Sequence, residues 1–135
     1  MATFLLDSDI LIYFLKGRGD VVAKVLAHPP EDLVTSRINF TELLYGAYNS
    51  AKVEKNLKVI TSFLESFDIL EFDARSAAIF AKEKARLKKN GTILADMDLM
   101  IASIAIANDL ILVSNNTKYF RRIKSLKLEN WAVSS

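Results

Sequence analysis

Five carboxylates stand where the surrounding residues give charge little structural use. Asp7 and Asp9 interrupt the apolar run FLLDSDILIYFL (residues 4–15), Glu42 opens a helical stretch at Asn39-Phe40-Thr41-Glu42, and Asp96 and Asp98 lead into a segment with no further charge until Asp109. Burying an unpaired carboxylate is costly, so these positions call for a compensating partner. Several carboxylates at close range stay ionised together only beside a cation. An all-oxygen donor set selects a hard divalent ion such as Mg²⁺ or Mn²⁺ over zinc.

Each acid also has an ordinary structural use. Asp is a favoured helix N-cap, which suits Asp7 or Asp9. Asn39 to Glu42 resembles a capping box with Glu at the third helical position, and Asp96 and Asp98 suit a helix N-terminus. Asn116, in Ser114-Asn115-Asn116-Thr117, is accounted for equally well by turn chemistry. Two acids at one helix start exceed what a cap needs. On a helical wheel Glu42, Tyr45 and Asn49 leave the stripe formed by Phe40, Leu43, Leu44 and Ala47, so they face solvent or a cleft.

The elements that must carry these residues alternate between strand and helix. Strands are predicted at 3–7, 33–35, 69–72 and 111–113, with an edge strand at 126–128. Helices are predicted from Ser8 or Asp9 to Leu15, then over 20–28, 39–50, 52–66, 74–89 and 97–107, with a short basic helix near 118–123. Ala74, Ala77, Ala78, Ala81 and Ala85 form a small-residue stripe suited to close packing. Such alternation implies an α/β fold, a doubly wound parallel sheet of four to five strands flanked by helices. Ligands of such sheets bind beyond the carboxyl ends of the strands, where strand order reverses. Asp7 and Asn116 follow strands, and Glu42 and Asp98 begin helices, so all four can converge there.

Bulk properties narrow the function. The 135 residues, 51% of them hydrophobic, suit one domain over 1–135. No apolar stretch is long enough to span a bilayer. The N-terminal run lacks a preceding Lys or Arg and is broken by Asp7 and Asp9, which argues against an export signal and for the cytoplasm. The absence of cysteine excludes disulfides, thiol nucleophiles and Cys-ligated metals, and His28 is the lone histidine; it is expected at the surface or a helix end. Net charge is only +2, but basic residues gather at 82–89 and again at Lys118, Arg121, Arg122, Lys124 and Lys127. No G-x-S-x-G, G-x-G-x-x-G or G-x-x-x-x-G-K motif is present.

Four short segments in this order carry a family resemblance: Asp7-Ser8-Asp9-Ile10-Leu11-Ile12-Tyr13, Thr41-Glu42-Leu43-Leu44-Tyr45-Gly46-Ala47, Asp98-Leu99-Met100-Ile101-Ala102, and Leu112-Val113-Ser114-Asn115-Asn116-Thr117 with the closing Leu128-Glu129-Asn130-Trp131. Nearly end to end, the chain resembles the PIN-domain ribonucleases, and specifically the VapC-type toxins of bacterial toxin–antitoxin pairs.

That resemblance implies a PIN-like fold and a metal-dependent endoribonuclease. Asp7, Glu42 and Asp98 match the acidic triad that binds Mg²⁺, with Mn²⁺ an alternative. Asn116 occupies the position of a fourth acid, which weakens a second tight metal site; Asp9, Asp96 and Ser114 are secondary site candidates. A VapB-like antitoxin partner, an RNA substrate such as tRNA, and a homodimer are likewise implied. Arg121, Arg122 and Lys124 are candidate phosphate contacts, and Tyr45 and Tyr119 candidate base-stacking residues. Two other readings compete. In a phosphoacceptor receiver domain, Asp7 and Asp9 hold Mg²⁺ and Asp73 accepts phosphate; a catalytically silent PIN-like module would only bind a partner.

Overall fold

The computed structural model describes residues 2–132. Five parallel strands, β1 (Phe4–Leu6), β2 (Leu33–Ser36), β3 (Asp68–Leu70), β4 (Ile111–Val113) and β5 (Lys127–Glu129), form one sheet in the order β3-β2-β1-β4-β5. The chain builds outward from β1 through β2 to β3, then crosses back to lay β4 against the other side of β1 and β5 beyond it. The reversal therefore falls between β1 and β4, where Leu5 is in register with Leu112 and Leu6 with Val113.

Helices α1 (Ser8–Leu15), α2 (Gly19–Leu26), α3 (Arg37–Tyr48), α4 (Val53–Leu64), α5 (Ala74–Lys89), α6 (Asp96–Ala107) and α7 (Thr117–Phe120) connect the strands, with a 3-10 turn at Pro30–Asp32. Gly17 and Gly91 sit just past the ends of α1 and α5 with φ of 75° and 72°, the left-handed conformation that terminates a helix and that glycine adopts without a side-chain clash. No helix among the described residues is long and apolar enough to cross a membrane.

The contiguous apolar runs of the strands serve two cores, because successive residues point to opposite faces. Leu5, Val34 and Leu112 join Leu87 of α5 and Leu99, Ile101 and Ile104 of α6. Phe4, Leu6, Leu33 and Val113 join Ile10 and Leu11 of α1, Val21 and Val25 of α2, Leu43 of α3 and Leu64 of α4. Helix α6 buries residues around nearly its whole circumference, including Leu99, Ile101, Ile104 and Ala105. Its apolar sequence leads to that environment, and it holds Asp98 rigidly at the sheet.

Two expectations are corrected. The alanine stripe of α5 does not pack: Ala74, Ala77, Ala78, Ala81 and Ala85 are exposed, and the helix seats itself through Ser76, Phe80 and Leu87 instead. Larger side chains one step around the helix bury more apolar area than alanine offers. Helix α3 starts at Arg37 rather than Asn39, with Ser36 Oγ accepting the Asn39 N–H at 3.2 Å. Glu42 thus lies in the second turn, and the capping-box use of it does not apply.

Leu112 is fully buried on the central strand pair. Leu112→Ala is expected to lower unfolding free energy by about 2–5 kcal/mol, measured by urea titration followed by circular dichroism.

Candidate active site

β1 ends where Asp7 donates its N–H to Val113 O at 2.9 Å, and α1 begins at the next residue. This places the Asp7 carboxylate in the crevice between β1 and β4, only 6% exposed. Its charge is held by three donors: Ser8 N–H and Asn39 Nδ2, each 2.9 Å from Oδ1, and Ser114 Oγ, 2.8 Å from Oδ2. Asp7 is therefore an N-cap by position and a site residue by environment.

Asn39 reaches Asp7 because Ser36 Oγ donates to its Oδ1 at 2.6 Å, which turns the amide NH₂ toward the site. The same NH₂ donates to Ser8 Oγ at 2.9 Å, and Ser8 Oγ donates to Glu42 Oε1 at 2.6 Å. A continuous hydrogen-bonded chain thus ties the end of β1 and the start of α1 to one face of α3. Asp9, one turn-third further on, accepts Ile10 N–H at 2.7 Å and Asn115 N–H at 3.0 Å. Asp98, in the first turn of α6, is half-buried, and its side chain makes no hydrogen bond or ion pair within the described residues.

These acids titrate above the ordinary carboxylate range. Burial raises Asp7 despite its three hydrogen bonds. Asp9 is pushed up to about 6, first by burial and then by the charge of Asp7, with Asp98 adding to it. Burial also raises Glu42, opposed by Ser8 and reinforced by Asp7 and Asp98, and it raises Asp98, with Asp7 again contributing. The ion pairs among the described residues serve other acids, namely Asp20, Glu71, Glu83, Asp96 and Asp109.

Among the described residues no three of these side chains already close around one point as a metal cage. Glu42 is turned to Ser8 and Asp9 to the 114–116 turn. The donor chemistry still fits a hard divalent cation: oxygen ligands, burial, and mutual repulsion that a positive charge relieves. Asp7, Glu42 and Asp98, with Asp9 beside them, are the residues that could hold one.

The remaining sequence candidates divide clearly. Ser114 is fully buried on Asp7, and its Oγ also accepts Asn116 N–H at 3.0 Å. Asn116 precedes α7 without a side-chain capping bond. Tyr45 is 67% exposed and lines, with Ser8, Glu42 and Met97, an open cleft of about 560 Å³. Tyr119 is exposed on α7. Arg121, Arg122 and Lys124 are exposed just after α7. Asp96 points away from the cluster into an exposed pair with Lys84 at 2.8 Å. His28 sits at the end of α2, bonded to Lys24 O and stacked on Trp131 at 4.8 Å.

The phosphoacceptor arrangement is overturned by topology. Receiver-type sheets place the third strand next to the first, whereas here β2 lies between β1 and β3. Asp73 is spent on capping α5, accepting Ser76 N–H at 2.9 Å.

Sequence reasoning missed Asn39 and Asn115 as parts of the site. The signal for Asn39 was its spacing, three residues before Glu42 and hence on the same helical face.

This crevice, acidic at the switch point of a β3-β2-β1-β4-β5 sheet, defines a class. Residues 4–126 match the PIN domain model. A ribonuclease VapC2 of Haemophilus influenzae is 37% identical over 131 residues, covering 97% of this chain and 99% of that protein. A tRNA(fMet)-specific endonuclease VapC of Shigella flexneri is 34% identical over 132 residues, covering 98% and 100%. The crystal structure of DNA-bound VapBC from Salmonella typhimurium contains a chain that superposes with a TM-score of 0.91 at 30% identity, covering 98% of this chain and 100% of that one. The chain belongs to the PIN-domain family and, within it, to the VapC ribonucleases.

The raised acids fix the sign of a pH effect. A folded-state carboxyl raised above its unfolded value keeps protons that the unfolded chain releases, so stability falls as pH rises between the two values. For Asp9 that window runs from 3.8 to about 6. Metal-free protein is therefore expected to melt at a lower temperature at neutral pH than at the acid end of that window. Asp9→Asn should raise the neutral-pH melting temperature and flatten the slope, as read by scanning calorimetry in EDTA.

Proposed function

We propose that this chain is a metal-dependent endoribonuclease, the toxin of a toxin–antitoxin pair, acting on RNA in the cytoplasm. One observation carries the reading. Asp7, Asp9, Glu42 and Asp98 couple electrostatically at the switch point, and none is paired with a Lys, Arg or His among the described residues. The cluster lies where α/β sheets bind ligands, and a divalent cation would relieve its mutual repulsion.

Asp7, Asp98 and Glu42 are the proposed ligands of Mg²⁺, or Mn²⁺; when bound, such an ion supplies Lewis-acid activation of water and neutralises charge on the phosphate oxygens. The chain's own residues do the rest. Ser8, Asn39 and Ser114 fix the Asp7 carboxylate so that it costs no reorganisation during reaction. Glu42, held by Ser8, orients the attacking water. Asp9 sits beside this set as a secondary acid.

An acidic crevice repels the phosphodiester backbone, so basic residues must bring RNA to it. Arg121, Arg122 and Lys124 follow the site turn through the four residues of α7, and Tyr45 offers an exposed ring at the cleft for a splayed base. The Shigella relative's specificity makes tRNA the first substrate to test. An apolar groove of about 440 Å³ lined by Ile12, Leu15, Val59 and Ile60 runs up to Glu42. A VapB-like antitoxin segment lying in it reaches the carboxylates, where an Arg would pair with them bidentately. A homodimer belongs to the same reading.

Purified, antitoxin-free protein is expected to cut a tRNA pool with Mg²⁺ or Mn²⁺ and to stop in EDTA. Asp98→Asn should reduce the rate by about 10²–10³-fold with the fold intact by circular dichroism. A folded wild type as inactive as this variant would overturn the reading. Replacing Arg121 and Arg122 by Gln should weaken RNA binding at low salt and flatten the plot of log affinity against log salt by about 0.7 per lost contact, measured by fluorescence anisotropy.

A further inference from the structure

The segment after β5 closes back on the site turn. Asn130 Oδ1 accepts Ala132 N–H at 2.8 Å, and Asn130 Nδ2 donates to Asn115 Oδ1 at 3.0 Å. Trp131 anchors this segment: it is buried, edge-on to Phe4 at 5.0 Å, and its Nε1 donates to Glu129 at 2.9 Å. Arg18 Nη2 donates to Ala132 O at 2.7 Å from the other side.

Asn115 is exposed, yet its polar groups are committed to the protein. Its N–H holds Asp9 Oδ2 at 3.0 Å, and its Nδ2 holds Tyr13 Oη at 3.3 Å. Asp9 and Tyr13 are four residues apart on α1 and so lie one above the other. Asn115 therefore docks the site turn against α1 at two points. By occupying Asn115 Oδ1, Asn130 decides which end of that amide faces Tyr13, and with it the orientation of the turn that carries Ser114 and Asn116.

Resting on the nuclease reading above, we propose that Asn130 is a positioning residue: the carboxyl-terminal segment, through Asn130 and Asn115, sets the orientation of the Asp9 carboxylate and of the 114–116 turn. The effect reaches the reacting groups only through Asn115, as a supporting hydrogen bond reaches a metal through its ligand.

Two variants and one control test this. Asn130→Ala removes both hydrogen bonds. Asn130→Asp keeps the acceptor for Ala132 N–H but sets an oxygen against Asn115 Oδ1. Glu129→Gln alters the Trp131 bond and leaves Asn115 untouched. Both Asn130 variants are expected to lower kcat for RNA cleavage by about ten- to a hundredfold with KM little changed, while Glu129→Gln keeps wild-type kcat. In NMR spectra of metal-free protein, both should speed hydrogen exchange of the Asn115 amide and move the Asp9 carboxyl carbon signal, with the β-sheet amides unmoved. Unchanged kcat, or an unchanged Asn115 amide and Asp9 carboxyl signal in Asn130→Asp, overturns the proposal. If wild type cuts no RNA, the nuclease reading fails, and the two NMR signals still decide whether Asn130 positions the turn.

Discussion

Like-charge crowding at the end of β1 is the constraint on which the other features of the site depend. Asp7 is buried where the strand order reverses, and Asp9, Glu42 and Asp98 all feel it or one another. Such a cluster opposes folding, and it persists because neutral donors spread its charge. Ser8, Asn39 and Ser114 surround Asp7, and no buried side-chain polar atom among the described residues lacks a partner. The donors are hydroxyls, an amide and backbone N–H groups. An internal Lys or Arg would satisfy the charge more fully and close the crevice to any other cation.

The scaffold is arranged around that crowding. Asp7 and Ser114 come from adjacent strand ends, Asn39 and Glu42 from one face of α3, and Asp98 from the first turn of the most buried helix. Asp7 and Ser114 thus follow strand ends directly, Asp98 lies in the first turn of its helix, and Glu42 lies in the second turn of α3. Two cores on opposite faces of the sheet hold those elements, so the spacing of the acids is governed by core packing rather than by loop conformation. Helix α7, following the site turn, leads into the exposed basic residues Arg121, Arg122 and Lys124.

Charge placement also explains which acids stand outside the site. Asp96 and Asp98 are two residues apart on α6, and residues so spaced face different directions. Asp98 turns toward Asp7, and Asp96 turns to Lys84 on the surface. Asp73 lies in the segment between β3 and α5, but β3 is the sheet edge, and the acid there caps a helix.

The sequence by itself determined the elements and the identity of the acids. Short apolar runs separated by amphipathic segments specify a parallel doubly wound sheet, and carboxylates set against apolar runs at Asp7 and Asp98 stand out because two acids at one helix start exceed what capping needs. Both signals are local, since periodicity and burial cost act within a few residues of chain. Tertiary structure decided what depends on distance between remote segments. Glu42 could have been a helix cap until Ser36 took that role and Ser8 met it across 34 residues of chain. In the sequence Asn39 reads as part of a capping box, Asn115 as part of a turn and Asn130 only as part of a family segment, because a side-chain amide shows its partner only when the fold delivers one. The strand order, which separates β3 from β1 and removes Asp73 from the crevice, follows from how the two cores pack, and no single segment encodes it.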